Sequence, residues 1–376
     1  MFIKSNKSIT KGKVQGQGAR PSPYYNSSCS PAQEQHNHMH APLLLLSLTS
    51  LTATFASPTS TTTDSTSYKY LDYDNIVAEL HSFHKEHPQL TQLNNAQAAF
   101  NVTSPGKCGA EPCRQWYFSI QQSADLSLPE VFFSGCVHGN ERIGPTTTVE
   151  VVRLLLNNVN QPNNKDSTSV WLSRLVRTRV ITIMPTANAL GYYKNVREEN
   201  GIDPNRDFPW GVSEKECMQT TAARALNSLF RERMFQLSIT FHSGMRAIAY
   251  EWGSPNYKDA SPDDGALHPI GRHAVRAAGV GDGENHGYYY PEGVLNPLVY
   301  PVKGGMEDWA YAASFDTTGY SVPCKPTTYG GYSEVRGSSH LKKKFLSPCS
   351  LFSLFSLLLL FSCCCLVVVV VHRHDN

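Results

Sequence analysis

His138 and Glu141 stand three positions apart in FFSGCVHGNERIGPTTTVE (132–150), directly behind an apolar run. Both are ligand types for a divalent metal. Catalytic zinc commonly takes three ligands from His and carboxylate and leaves a fourth position for water or substrate. The apolar run reads as a strand, and the Gly139-Asn140 turn lets positions i and i+3 face one side where side chains leave a sheet edge. Taken alone, such a pair also describes two solvated loop residues. A third ligand type follows QLSITF, a second strand pattern that runs straight into His242-Ser243-Gly244. Two strands then deliver imidazole and carboxylate to one sheet edge.

Between them lies GYYKNVREENGIDPNRDFPW (191–210), where Arg197, Asn205 and Arg206 offer a cationic, hydrogen-bonding pocket. The fork of a guanidinium matches a carboxylate in two places at once. Further on, LVYPVKGGMEDWAY sets Tyr300 near Gly304-Gly305, on a segment able to swing over a ligand.

The order H-G-N-E, R-x-x-N-G-x-D-x-N-R, F-H-S and Y-x-x-x-G-G-x-x-D-W resembles the zinc metallocarboxypeptidases of the carboxypeptidase A-like family (funnelin-type peptidases), over roughly residues 70–335. The resemblance implies one zinc ion per chain, bound by His138, Glu141 and His242, with Asp203 orienting His138 from behind. It implies that Asn205, Arg206 and Tyr300 hold the C-terminal carboxylate of a peptide and that Arg197 polarises the scissile carbonyl. Glu307 stands two after the glycine pair, where the family reads the side chain of the last residue. An acid there favours Lys or Arg, unless Glu307 is paired internally or a neighbouring loop supplies the discriminating charge.

One part of the pattern is not found. The family's general base is a glutamate on a late strand, after a stretch like TTYGGY. Here TTYGGYSE ends at 334 and Glu334 falls in the preceding loop, too early for that strand. Loss of a general base costs about 10²–10⁴ in rate. The expectation is therefore a peptidase impaired in turnover, with a catalytically inactive zinc protein that grips peptide C-termini as the alternative.

The elements that must position these residues are legible from periodicity. YKYLDYDNIVAELHSFHKEHPQL has apolar residues at helical spacing before a proline, and TTTVEVVRLLLNNV and CMQTTAARALNSLFRERM are also helical. WYFSI, PEVFFSGCV, VRTRVITIMPTAN and QLSITFHSG read as strands. Strands alternating with helices predict a single α/β domain over 68–335, a mixed, mostly parallel twisted sheet flanked by helices, lacking its C-terminal strand and helix.

The ends differ in kind. Residues 1–38 are polar and without periodicity, so they read as disordered and as sequence upstream of a start at Met39. Residues 39–57 resemble a secretory signal, and 58–67 form a Ser/Thr-rich spacer. Residues 336–376 form an apolar tail that does not read as α/β core; it has three readings, translated non-coding sequence, a lipid-anchor signal or a membrane span over 345–371. A secreted or lysosome-like compartment suits cysteine pairing. Cys108 and Cys113 can close a short loop, Cys217 and Cys324 could pair across the fold, and Cys136, in an apolar strand, reads as a buried free thiol. A net charge of +2 over 376 residues, without a basic block, argues against nucleic acid as partner. The expected partners are peptide or protein C-termini, met by a monomer that is membrane-associated only if the tail is genuine.

Overall fold

The computed structural model describes residues 69–122, 127–159, 166–257, 260–278, 290–312, Cys324 and the backbone of 365–371. All of them fall within one unit, Thr66–Asn376. The readings made for residues 1–67, for Glu334 and for most of the tail lie outside the described residues.

The strands are β1 (Thr91–Asn95), β2 (Lys107–Cys108), β3 (Glu111–Pro112), β4 (Trp116–Ile120), β5 (Glu130–Gly135), β6 (Val180–Met184), β7 (Phe235–Ser243), β8 (Ala247–Tyr250), β9 (Glu292–Val294) and β10 (Cys365–Val371). The helices are α1 (Tyr73–Glu86), α2 (Ala96–Phe100), α3 (Ile143–Val159), α4 (Ser167–Thr178), α5 (Ala189–Lys194), α6 (Thr221–Glu232), α7 (Asp264–Ala278), α8 (Leu295–Leu298) and α9 (Met306–Ala312). Helix α1 starts where the Asn75 N–H donates to Asp72 Oδ1 at 2.8 Å, and its buried stripe is Tyr73, Ile76, Leu80 and Phe83. Steps of three and four residues keep that stripe on one face.

Eight strands make one sheet in the order β1-β4-β6-β5-β7-β10-β8-β9. Strand β5 pairs in parallel with β6 and β7, and β8 in parallel with β9 and β10, whereas β1, β4 and the β7–β10 pair are antiparallel. The inner parallel strands VITIM and EVFFSG are buried almost throughout, as strands covered on both faces must be.

Alternation along each strand then feeds two cores. Val131, Phe133, Ile181, Ile183, Leu237, Ile239 and Phe241 join one cluster with α1, α3 and α4, while Phe132 and Met184 join another with Phe230 and Trp309 from α6 and α9. The second face also carries hydroxyls that satisfy one another, Ser119 with Thr182 and Ser134 with Thr240, each at 3.0 Å. His242, two residues beyond Thr240 and next to Phe241, comes off β7 on that second face by the period of two.

The expectation that the sheet lacks its inner strand is corrected. Strand β10, CLVVVVV, occupies the place between β7 and β8, with Leu366 opposite His242 and Val367 opposite Ile248. As a sequence the tail, with no acidic residue before Asp375, does not read as an α/β core segment, yet its stretch 365–371 is apolar throughout. That composition is what a strand paired on both edges tolerates, and five consecutive valines have high β-propensity. Among the described residues no helix is long and apolar enough to cross a membrane.

Both expected cystine pairs form, Cys108–Cys113 across the β2–β3 hairpin and Cys217–Cys324 over a separation of 107 residues. Cys136 is a buried free thiol, just past the end of β5 rather than within it.

Candidate metal centre

Strand β5 stops at Gly135 because the next residue, Cys136, takes φ 59°, which swings the chain off the sheet. The loop is then fastened from two sides. The Asn188 N–H donates to the Cys136 carbonyl at 2.9 Å, and the Gly139 N–H donates to the Arg197 carbonyl at 3.0 Å. A Cβ at Gly139 would lie 2.1 Å from the Gly191 backbone and 2.2 Å from the Val196 carbonyl oxygen, so only glycine fits that approach. The Glu141 N–H bonds to the His138 carbonyl at 3.1 Å and closes the turn that brings positions 138 and 141 to one side.

His242 arrives on β7, and the three side chains meet. His138 Nδ1 lies 2.9 Å from Glu141 Oε1, His242 Nδ1 lies 3.0 Å from Glu141 Oε2, and the two Nδ1 atoms are 3.2 Å apart. All three residues are buried, and they are the one group of His, Cys, Asp and Glu among the described residues whose ligand atoms converge enough for a metal. Two imidazole nitrogens and a carboxylate converging on one point form a donor set for a shared cation. Zinc bonds of about 2.0–2.2 Å in a tetrahedron separate ligands by roughly 3.4 Å, so the donor triangle fits that ion.

Asp203 Oδ1 lies 3.1 Å from His138 Nε2, the ring nitrogen turned away from the triangle. Its carboxylate is fixed by the Asn205 N–H at 2.9 Å and by Arg197, whose Nε and Nη2 lie 3.0 and 2.8 Å from Oδ2. Arg197 Nη2 also lies 2.8 Å from His138 Nε2. A protonated Nε2 donating to Asp203 cannot accept from Arg197, so the guanidinium is anchored through Asp203. Its Nη1, 3.6 Å from Glu141, remains for a further acceptor.

The electrostatics agree with a cation-holding site. Burial works against the charge on Glu141, but His242 and His138 outweigh it and hold the carboxyl well below the usual range. Asp203 is lowered likewise, burial being overcome by His138 and then Arg197. Burial alone would lower His138, yet its bonds to Asp203 and Glu141 raise it. Cys136, fully buried, is pushed well above the ordinary thiol value by desolvation, which removes it as a nucleophile.

A small cleft of about 30 Å³ opens beside the triangle, lined by His138, Glu141, Asn205, His242, Tyr300 and Glu307 among others. That is room for one water. Asn205 Oδ1 accepts from the Met306 N–H at 2.9 Å, which ties the clamp segment to the start of α9. Tyr300 is 47% exposed, and the Arg206 guanidinium lies 5.9 Å from its ring centroid. Glu307 is buried in the cleft wall; its Oε1 has no hydrogen-bond partner, and burial raises its carboxyl above the ordinary value despite His242 and Arg206. The sequence reading missed the apolar wall of Leu295, Val299 and Val302, since α8 has four residues and no readable period. Among the described residues, Glu141 and Glu307 are the carboxylates lining the cleft. The end of β10 nearest His242 is preceded by FSCC, which supplies no acid.

Comparison with known proteins gives a consistent picture. The family model described as zinc carboxypeptidase matches residues 76–333. Carboxypeptidase B of the crayfish Astacus astacus is 25% identical, over 70% of this chain and 88% of its own length. The catalytic chain of carboxypeptidase N of Rattus norvegicus is 23% identical, over 65% of this chain and 60% of its own length. Among solved structures, bovine thrombin-activatable fibrinolysis inhibitor in complex with tick carboxypeptidase inhibitor aligns with a TM-score of 0.53 at 17% identity, covering 77% of this chain and 96% of that one. The carboxypeptidase A of Helicoverpa armigera aligns with a TM-score of 0.50 at 20% identity, over 64% and 61%. These likenesses show the fold, a mixed α/β domain around a mainly parallel sheet.

Proposed function

Because this chain belongs to the zinc carboxypeptidase family, we propose that it removes the C-terminal residue of peptides, with a preference for Lys and Arg and with weak turnover. The observation that carries the reading is the triangle of His138 Nδ1, Glu141 and His242 Nδ1, all pairs within about 3 Å. One zinc ion held there would supply Lewis-acid activation of a water and of the scissile carbonyl.

The chain's own residues do the remainder. Asp203 holds the His138 ring so that Nδ1 faces the ligand position. Asn205, Arg206 and Tyr300 grip the terminal carboxylate of the peptide, the tyrosine moving in from its exposed position. Arg197, anchored through Asp203, presents Nη1 to the oxygen that gains negative charge. Glu307 meets the side chain of the departing residue in a site with an unpartnered carboxylate oxygen. Slow turnover follows from the absence of a third carboxylate in the cleft wall among the described residues, which leaves proton transfer without a dedicated acceptor. We place the protein in a secreted or similarly oxidising compartment, in keeping with its two cystines.

The test is a zinc-loaded preparation offered peptides that differ only in the last residue. Release of Lys and Arg faster than Leu or Phe, abolished by a chelator and restored by zinc, is the expected result. Binding of peptide C-termini with no release selects the inactive binding protein, and faster release of Leu or Phe ends the basic preference.

A further inference from the structure

Asn205 and Arg206, which grip the peptide carboxylate, stand in a loop that runs from the end of α5 to the start of α6 and bears two buried acids, Glu199 and Asp207. Both acids reach the same place. Asp207 Oδ1 accepts from the Gln219 N–H at 2.9 Å, and its Oδ2 accepts from the Thr220 N–H and hydroxyl, each at 2.7 Å. The Glu199 oxygens accept from the next two N–H groups, Oε1 from Thr221 and Oε2 from Ala222, the latter at 3.1 Å. Four consecutive backbone donors at the start of α6, groups that a helix leaves without internal partners, are thus satisfied by side chains 12 to 23 positions earlier.

A helix start does not need this much. Thr220 already caps α6 by accepting from the Ala223 N–H at 3.1 Å, and one such cap is the usual device. Two neighbouring acids are costly here: burial raises both carboxyls, the helix N–H groups lower them, and Asp207 raises Glu199 further. What the pair adds is a hold on the loop. Between the two anchors the chain is folded tightly, with Glu199 and Ile202 exchanging backbone bonds of 2.9 and 3.1 Å and the Arg206 N–H donating to the Asp203 carbonyl at 3.0 Å. The loop also meets the segment that carries Tyr300 and Glu307, where the Phe208 N–H donates to the Gly304 carbonyl at 3.0 Å and the Met306 N–H to Asn205 Oδ1 at 2.9 Å. A Cβ on Gly304 would lie 2.4 Å from the Arg206 carbonyl oxygen, so no space separates the two segments there.

We infer that Glu199 and Asp207 are positioning residues for the carboxylate clamp: by fastening both ends of the stretch 199–207 to the start of α6, they set where Asn205 and Arg206 stand relative to the metal triangle. This rests on the reading of the clamp given above. Neither acid lines the cleft. Each acts through the backbone of the loop, and a shift of roughly 1 Å in a positioned group costs up to about 10²-fold.

Calorimetry on the zinc-loaded protein with two peptides that differ only at the terminus, one a free carboxylate and the other its amide, reads the clamp without requiring turnover. The expected wild-type preference for the carboxylate is roughly 10–100-fold, the range for hydrogen bonds to charged groups. Glu199→Gln and Asp207→Asn each turn an amide donor toward N–H groups that need an acceptor. Each is expected to lower the ratio several-fold by weakening the carboxylate peptide alone, with zinc still bound and the amide peptide held as before. A lower urea midpoint with a wild-type ratio in both variants makes the acids caps of α6 and overturns the inference, as does equal weakening of both peptides; Asn205 and Arg206 keep their role in either case. If one variant does not fold, the other carries the test, and failure of both assigns the acids to the fold and overturns the inference. A wild-type ratio near one, or binding of neither peptide, overturns the clamp reading and the inference with it.

Discussion

At the scale of single residues, the site divides into groups that hold a metal and groups that hold those groups. Glu141 is flanked by both imidazoles, so Glu141→Gln removes the negative charge that offsets the cation; zinc retention after gel filtration is expected to be lost. Asp203 works at one remove, through His138 Nε2. Asp203→Asn is expected to cost about 10–100-fold in zinc affinity, measured by competition with a chelator, while the fold persists. If the asparagine variant bound zinc as tightly as the parent, Asp203 would be an anchor for Arg197 and nothing more. Spacing offered His138, Glu141 and His242 as ligand types at one sheet edge, whereas the partnership of Asp203 with His138 came from the family resemblance of the motifs. The bond pair that commits Arg197 to Asp203 was legible from neither, because nothing in R-x-x-N-G-x-D states which way the guanidinium turns.

At the scale of elements, β10 and the long cystine decide how firmly the site is framed. Val368 pairs with Thr240 on one side and Ala249 on the other. A proline there removes a ladder donor in the middle of a sheet, where it is not tolerated. Val368→Pro is expected to lower the denaturation midpoint sharply, whereas an unchanged midpoint would mean that residues 365–371 contribute nothing to the sheet. Cys217–Cys324 closes a loop with a separation of 107 residues, for which chain entropy predicts up to about 4–5 kcal/mol, with about 2–4 typical when such a bond is lost. Cys217→Ser should show that loss in urea unfolding, and reductant should then have little further effect. Strong periodicity announced α1, α3, α6 and the strands β4 to β7. Strands β8 and β9 have four and three residues, too few for a period to emerge, and β1, TQLNN, is polar at four of its five positions.

At the scale of the whole molecule, buried acids set the response to pH. Glu199 is buried, accepts from the Thr221 and Ala222 N–H groups at the start of α6, and is raised to about 7, chiefly by burial. A glutamate in the unfolded chain releases its proton near 4.3. Between those values the folded state binds more protons than the unfolded one, so the contribution of Glu199 is full below about pH 4 and is lost as pH rises toward 7. Glu141 and Asp203 act in the opposite sense, their contribution present above the ordinary carboxylate range and lost only as pH falls below it. Asp308, raised to about 8, and Glu251 act in the same sense as Glu199, so the metal-free protein is expected to melt at a lower temperature at pH 7 than at pH 5, and Glu199→Gln should make that slope shallower without abolishing it. A flat profile in the parent would contradict the placement of Glu199.

The sequence by itself determined the order of the motifs, the α/β class and the candidate ligand types His138 and Glu141 at the end of one strand, because each depends on residue type at short range or on a fixed period. Tertiary structure alone decided that the apolar tail supplies the strand beside His242 and that Arg197 is tied to Asp203. Those facts join positions tens to more than a hundred residues apart, or turn on the direction of one side chain. No local pattern encodes such pairings; they follow from which surfaces meet when the sheet closes its core. HGNE could announce a metal, but only the packed molecule shows which strand and which guanidinium stand beside it.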